Sequence, residues 1–217
     1  MRVVVTRPKE QAAPLAGRLE ALGHEVVVCP LIETESLGDD PIDLHPYDWV
    51  VVTSVNGARE LARRARGEPK RLAAIGPGTA EALRAEGFDP ELVPATATQE
   101  GLAAELPRPA GRVLIAAAEA ARRYLVDELE AEFLPLYRTR ELRPPNPPSG
   151  DLVVLGSASA ARALAGLPVE IPAVSIGPET TRVARELGID VVAEADPHTL
   201  EGLVAAVSKA GAERQEA

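Results

Sequence analysis

The sequence predicts an α/β protein of two similar parallel-sheet lobes, produced by internal duplication, and three observations carry that prediction. Short Val-rich apolar runs alternate with amphipathic helical patterns along the 217 residues. The pentapeptide Ile75-Gly76-Pro77-Gly78-Thr79 returns as Ile176-Gly177-Pro178-Glu179-Thr180, at an offset of 101. Other stretches return in the same order: Arg2 to Thr6 as Arg112 to Ala116 (offset 110), Pro30 to Thr34 as Pro135 to Thr139 (105), Ser54 to Arg59 as Ser157 to Arg162 (103), and Thr98 to Leu102 as Thr199 to Leu203 (101). Falling offsets are what loop deletions leave in a duplicated chain.

Arg2 to Thr6 reads as a strand, and Gln11 to Leu22 places Leu15, Leu19 and Leu22 on one helical face before the stop at Gly23. Val26 to Val28 completes a βαβ unit, whose continuous apolar strands imply a sheet covered on both faces. Pro30 to Thr34 leaves it extended. Glu35 to Pro46, acidic and broken by Gly and Pro, reads as a solvated linker. Asp48 to Thr53 is a strand that turns through Ser54-Val55-Asn56-Gly57 into a helix reaching Arg64, with Ser54 or Asn56 able to cap it. Arg71 to Ile75 leads into the first Ile-Gly-Pro turn and the helix Ala80 to Glu86. Leu92-Val93 reads as a short strand, and Thr98 caps a further helix.

From Arg112 to Ala116 the pattern restarts with a strand, followed by a helix to about Ala131. Pro135 to Thr139 is extended, and Arg143 to Gly150, with four prolines, reads as a second, semi-rigid linker. Asp151 to Leu155, Ser157 to Arg162, Ala173 to Ile176 and Thr181 to Leu187 repeat strand, helix, strand and helix. Thr199 opens the last helix, and the charged tail after Ser208 reads as frayed. Each lobe fits either a contiguous half or a leading βαβ unit packed with the other half's remainder. In both cases the turns lie at the C-terminal ends of the strands, where ligands of such sheets bind, which places the expected ligand in the cleft between lobes.

The turns are the candidate binding residues. Proline in the first helical turn gives up no needed donor, so the amides of Gly78 and Thr79, and of Glu179 and Thr180, are expected to point out of a helix end that favours anions. Thr53, Ser54, Asn56 and Gly57, Pro77 to Thr79, Thr98 to Gly101, Ser157-Ala158-Ser159, Pro178 to Thr180 and Thr199 to Gly202 together offer hydroxyls and amides. Each helix end favours an anion by about 0.3–1 kcal/mol, so several can hold a multiply charged ligand without a lysine cluster. Arg7, at the first strand's exit, is the best-placed cation. The plainer reading of every one of these turns is punctuation and capping in a duplicated scaffold.

Composition narrows the chemistry. Aromatics are 3% and the net charge is −10, which opposes stacking on bases, a phosphate backbone or an acidic membrane surface. Local amides still act on a small anion, because global charge is screened over about 8 Å. Cys29 is the one cysteine and sits in an apolar run, so no disulfide forms within the chain and a buried small residue is expected. No run approaches the roughly 18 apolar residues of a membrane span, and a cytoplasmic protein is expected. Gly76 to Glu81 fails the dinucleotide fingerprint and no P-loop occurs. His24, His45 and His198 are scattered, which argues against a metal site, and no Gly-x-Ser-x-Gly elbow supports a nucleophile built on His198.

The ordered set of Val5-Thr6-Arg7-Pro8, Pro30-Leu31-Ile32-Glu33, Trp49 to Gly57, both Ile-Gly-Pro turns and Leu136-Tyr137-Arg138-Thr139 resembles the uroporphyrinogen-III synthase family over nearly the whole chain. The resemblance implies flavodoxin-like lobes joined by a two-stranded linker. The first domain would be discontinuous, 1–35 with 146–217, and the second would run 36–145, with linker segments near 33–40 and 138–150. It implies a hydro-lyase that closes the linear tetrapyrrole hydroxymethylbilane with inversion of ring D, using no cofactor and no metal. A monomer is expected, with transient handover of substrate from hydroxymethylbilane synthase. Tyr137 matches the family's linker tyrosine, which would assist hydroxyl departure, and Thr79 and Thr180 carry over as carboxylate-binding or turn-forming residues. The chain departs from the family at Ala116 to Ala121, where an Arg-Gly pair is often found and only Arg122 remains.

Two other classes compete. A non-catalytic two-lobe binding module for a small polyanion needs the same turns but gives Tyr137 no task. A nucleotide-sugar transferase needs a larger domain pair and a diphosphate site.

Overall fold

The computed structural model describes Met1 to Gln215. In chain order the elements are β1 (Arg2–Val5), α1 (Lys9–Ala21), β2 (Glu25–Val28), β3 (Ile32–Ser36), β4 (Ile42–Asp43), β5 (Trp49–Val52), α2 (Val55–Arg64), β6 (Ala65–Arg66), β7 (Leu72–Ala74) and α3 (Pro77–Ala85). They continue with α4 (Gln99–Glu105), β8 (Val113–Ala118), α5 (Tyr124–Leu129), β9 (Glu132–Glu141), β10 (Leu152–Leu155), α6 (Ala158–Ala165), β11 (Ala173–Ser175), α7 (Pro178–Glu186), β12 (Val191–Glu194) and α8 (Leu200–Gln215). The fold is α/β, with two five-stranded sheets.

The chain divides into two compact units, Met1–Glu33 with Thr139–Ala217, and Thr34–Arg138. In the first, the strand order is β2-β1-β10-β11-β12, and every pair is parallel. β1 lies at the interior of this sheet, with Val3 opposite both Leu152 and Val26. Val3, Val4 and Val5 are fully buried because the sheet is covered twice. Val3 and Val5 pack with Leu15 and Leu19 of α1 and with Leu203 and Val207 of α8, while Val4 and Val153 pack with α6 and α7.

In the second unit the order is β3-β9-β8-β5-β7, with β9, β8, β5 and β7 mutually parallel. Val50 and Val52 face α2 and α3, and Trp49 and Val51 face α4 and α5. β9, β8, β5 and β7 stand in the same order as β2, β1, β10 and β11 of the first sheet. β3 runs against β9: the Leu37 amide donates to the Leu136 carbonyl at 2.9 Å and the Leu142 amide to the Leu31 carbonyl at 2.8 Å. Opposite charges face each other across that ladder, Glu33 with Arg140 and Glu35 with Arg138.

Five expectations of local structure need correction. Glu35 to Pro46 is more than a solvated linker, because Ile42 and Leu44 are buried in the second unit's core and β4 pairs with β6. Leu92 forms an isolated bridge to Ala73, since Pro90 and Pro94 on either side remove ladder donors. The helix after β8 is only six residues long, because Ala117 and Ala118 continue the strand despite their helical propensity. β12 was not anticipated, although Val191-Val192-Ala193 carries its signal, and α8 continues through the expected frayed tail to Gln215. Cys29 is half-buried, with its thiol pKa pushed up by burial.

Candidate functional site

Parallel neighbours end on one edge, so each sheet gathers its predicted turns. In the second unit, β5 delivers Thr53, Ser54, Asn56 and Gly57, and the adjacent β7 delivers Pro77, Gly78 and Thr79. Ser54 is the N-cap of α2, where its Oγ accepts from the Gly57 amide at 2.9 Å. The same Oγ lies 2.9 Å from the Tyr137 hydroxyl. Tyr137 is only 6% exposed and packs in the core with Leu136, so its ring has a structural task while its hydroxyl reaches this edge. Burial pushes the phenol pKa up, and the Ser54 bond opposes that in part. Asn56 Nδ2 donates to Thr34 Oγ1 at 3.2 Å, tying the turn to β3.

The Ile-Gly-Pro turn differs from expectation in its donors. The Thr79 amide donates back to the Gly76 carbonyl at 3.1 Å, as does the Ala80 amide at 3.0 Å, so Thr79 does not present a free amide; Gly78 remains. Thr79 and Thr180 are each 5% exposed, which favours their turn-forming role. Gly76 is extended, with φ −177°, and its need for glycine is spatial: a Cβ there would lie 2.7 Å from the Cβ of Ala97. The loop before α4 therefore crosses directly over the turn. Thr98 caps α4, accepting from the Gly101 amide at 3.0 Å, and a Cβ on Gly101 would strike the Thr96 carbonyl at 2.3 Å, so Gly101 serves close packing.

The first unit repeats the arrangement with different chemistry. Ser157 caps α6, accepting from the Ala160 amide at 3.2 Å, with Ala158 and Ser159 in the first turn of that helix. Arg7 leaves the end of the adjacent β1, its stem passes over Gly156, and its Nη2 donates to Gln11 Oε1 at 3.4 Å. Pro178 begins α7, and the Thr181 amide donates to the Gly177 carbonyl at 3.0 Å. Glu179 turns its carboxylate onto Arg182 in a bidentate pair at 2.8 and 3.0 Å. Where Gly78 leaves the second unit's turn bare, Glu179 thus supplies its own anion at the helix end.

Sequence reasoning missed a polar group beside that turn. The buried Thr181 hydroxyl lies 2.6 Å from Ser175 Oγ and 3.2 Å from the Gly177 carbonyl, and it also contacts Glu194 Oε2. Glu194 Oε1 lies 3.8 Å from Nε2 of His198, whose ring covers Gly177. The signal was available in the offset of 101, which aligns Ser175, Thr181, Glu194 and His198 with Ala74, Ala80, Val93 and Ala97. Among the described residues, no group of three or more His, Cys, Asp or Glu side chains has the arrangement of a metal site, and no helix is long and apolar enough to cross a membrane.

The model of the uroporphyrinogen-III synthase HemD family matches residues 13–205. The chain belongs to that family. A Synechococcus elongatus uroporphyrinogen-III synthase is 24% identical over 250 aligned positions, covering 95% of this chain and 94% of that protein. A Methanocaldococcus jannaschii protein that carries the same name provisionally is 32% identical over 151 positions, covering 65% of this chain and 63% of its own length. Among solved structures, the Helicobacter pylori uroporphyrinogen-III synthetase superposes with a TM-score of 0.69 at 18% identity, over 96% of this chain and 99% of that one. A mutant Thermus thermophilus uroporphyrinogen III synthase gives 0.64 at 17% identity, over 98% and 99% of the two chains. At such identities these superpositions speak for the fold, and the family match speaks for the lineage.

Proposed function

We propose that this family member is a uroporphyrinogen-III synthase, a hydro-lyase that closes hydroxymethylbilane with loss of water and inversion of ring D. The observation that carries the reading is the family match across residues 13–205. The substrate bears acetate and propionate arms, and the turns at each sheet edge supply hydroxyls and amides suited to them. Thr53, Ser54, Asn56, Gly57, Pro77, Gly78, Thr79, Thr98 and Gly101 would serve in the second unit, and Arg7, Ser157, Ala158, Ser159, Pro178, Glu179 and Thr180 in the first.

Tyr137 is the group for the chemistry. The terminal hydroxyl leaves as water, which requires a proton or a strong hydrogen bond at the departing oxygen. A phenol is protonated at neutral pH, and the Ser54 hydroxyl can donate to the phenol oxygen, freeing the phenol proton for the substrate. The azafulvene cation left behind is attacked by the substituted carbon of ring D, giving a spiro intermediate that recombines with ring D inverted. Uncatalysed closure gives the uninverted isomer, so the protein must hold the reacting ends. Fixing such ends is worth about 7–11 kcal/mol at best.

The reading includes a history and an organisation. The two units descend from one duplicated lobe of flavodoxin-like order. A discontinuous domain, 1–35 with 146–217, and a second, 36–145, are joined by strands drawn from 33–40 and 138–150; the paired β3 and β9 support this. The reaction calls for no cofactor and no metal. A cytoplasmic monomer that receives substrate from hydroxymethylbilane synthase completes the proposal.

The test is to supply the purified protein with freshly generated hydroxymethylbilane, oxidise the products and resolve type III from type I porphyrin. Excess type III over the protein-free control is expected. Type I alone from folded protein would overturn the reading in favour of a non-catalytic polyanion-binding module.

A further inference from the structure

The two Ile-Gly-Pro turns are alike in backbone and unlike in what surrounds them. Over Gly76 lies Ala97, whereas over Gly177 lies the imidazole of His198, whose carbon and nitrogen atoms are 3.2–3.5 Å from where a Cβ would stand. Around the first turn the aligned positions are Ala74, Ala80 and Val93; around the second they are Ser175, Thr181 and Glu194. A turn that forms in the second unit with alanine and valine does not need these polar groups for its geometry. Their presence in one copy alone calls for another explanation.

The group is built from the inside outward. Ser175 is fully buried and Thr181 nearly so, so their hydroxyls must find partners within the protein. A hydroxyl has one proton and Thr181 faces two acceptors, the Gly177 carbonyl and the Glu194 carboxylate, so Ser175 donates to Thr181 and Thr181 donates onward. This fixes one oxygen of Glu194 and leaves the other facing His198. At 3.8 Å that contact is longer than a hydrogen bond, and His198 makes no hydrogen bond among the described residues. Its side chain is 57% exposed, held by its stacking on Gly177 and by the carboxylate beside it.

We infer that His198 is a substrate-binding residue of the first unit, its ring N–H donating to a carboxylate arm of the tetrapyrrole, with Glu194, Thr181 and Ser175 as positioning residues. This deepens the function proposed above and rests on it. It makes the two turns unequal by construction: one offers a bare Gly78 amide, the other an oriented imidazole.

The experiment measures type III formation by wild type, His198→Ala, His198→Gln and the fourfold variant Ser175→Ala/Thr181→Ala/Glu194→Val/His198→Ala, which installs the composition of the other turn. His198→Ala is expected to raise KM about tenfold, the weight of one charge-assisted hydrogen bond, with kcat within about twofold and thermal stability unchanged. His198→Gln, which keeps a donor, should recover part of the loss. The fourfold variant, whose residue set already occupies the other turn, should match His198→Ala in KM. A His198→Ala KM equal to that of wild type, with type III still produced, would overturn this inference and leave the proposed function standing. Type I alone from wild type would remove both. A fall in kcat with unchanged KM would also count against a binding role.

Discussion

The Tyr137 hydroxyl lies 2.9 Å from Ser54 Oγ, 83 positions earlier in the chain, while that same oxygen caps α2 by accepting from the Gly57 amide. Either hydroxyl can donate in that contact, and with Ser54 donating to the phenol oxygen the phenol proton is left for the substrate, as proposed above. Removing the hydroxyl while keeping the ring therefore separates chemistry from packing. Tyr137→Phe is expected to lower kcat severalfold or more, with urea unfolding little changed. Unaltered kcat would take the departing hydroxyl out of Tyr137's hands.

Ser54 and Ser157 are equivalent caps with unequal duties. Ser157→Ala should cost only the cap, about 1 kcal/mol. Ser54→Ala should cost the cap and also strand a buried phenol, adding about 1–3 kcal/mol, and it should reduce kcat as well. Denaturant midpoints of the two variants, side by side, check the ordering; equal midpoints would mean that the Ser54 bond to Tyr137 carries no weight.

Gly76 and Gly78 stand two residues apart and should respond oppositely. Gly76→Ala forces a Cβ to 2.7 Å from Ala97 and is expected to destabilise by about 1–3 kcal/mol. A Cβ on Gly78 meets nothing within 4 Å, so Gly78→Ala should leave stability unchanged or raise it by up to about 1 kcal/mol. If a substrate carboxylate approaches the Gly78 amide, the same variant raises KM. Thermal unfolding and steady-state kinetics on both variants check the pair.

Alkaline stability should report on Tyr137. Burial raises its folded-state pKa above the ordinary value, so the unfolded chain releases this proton first as pH rises. The stabilisation is thus complete below the unfolded tyrosine pKa of about 10 and is lost as pH climbs through the higher folded value. Tyr47 shifts in the same direction, through burial and its bond to Glu132, and so does the Cys29 thiol through burial, so the wild type declines for three reasons. Tyr137→Phe should decline less steeply above pH 10, and identical slopes for the two proteins would contradict the shift.

Much of the α/β pattern was legible because its signals are local. Val-rich strands buried on both faces, glycine stops and hydroxyl caps each act within a few residues, and Ser54, Thr98 and Ser157 cap where their spacing says they should. What was not legible depends on distant packing. Ala117 and Ala118 have helical propensity, yet they extend β8 because they pair with Pro135 and Tyr137 of β9. Ile42 and Leu44 sit in an acidic stretch that reads as solvated, until the core they enter is known. His198 looked like one of three scattered histidines because its partner Glu194 belongs to an unanticipated strand, and its meaning appears only when the two turns are compared position by position.

β1 takes its partner β10 from about 150 residues further along, Val3 lying opposite Leu152. A ribosome working at about 5–20 residues per second needs roughly 7–30 seconds to cover that distance. Through that interval the β1-α1-β2 crossover unit keeps one side of its most apolar strand unpaired, while the contiguous stretch Thr34–Arg138 emerges in full. The later-closing unit is thus the one exposed to mispairing during synthesis. Substitutions that weaken β10 should show their effect first in the yield of soluble protein, before any change in the catalytic constants of the molecules that do fold.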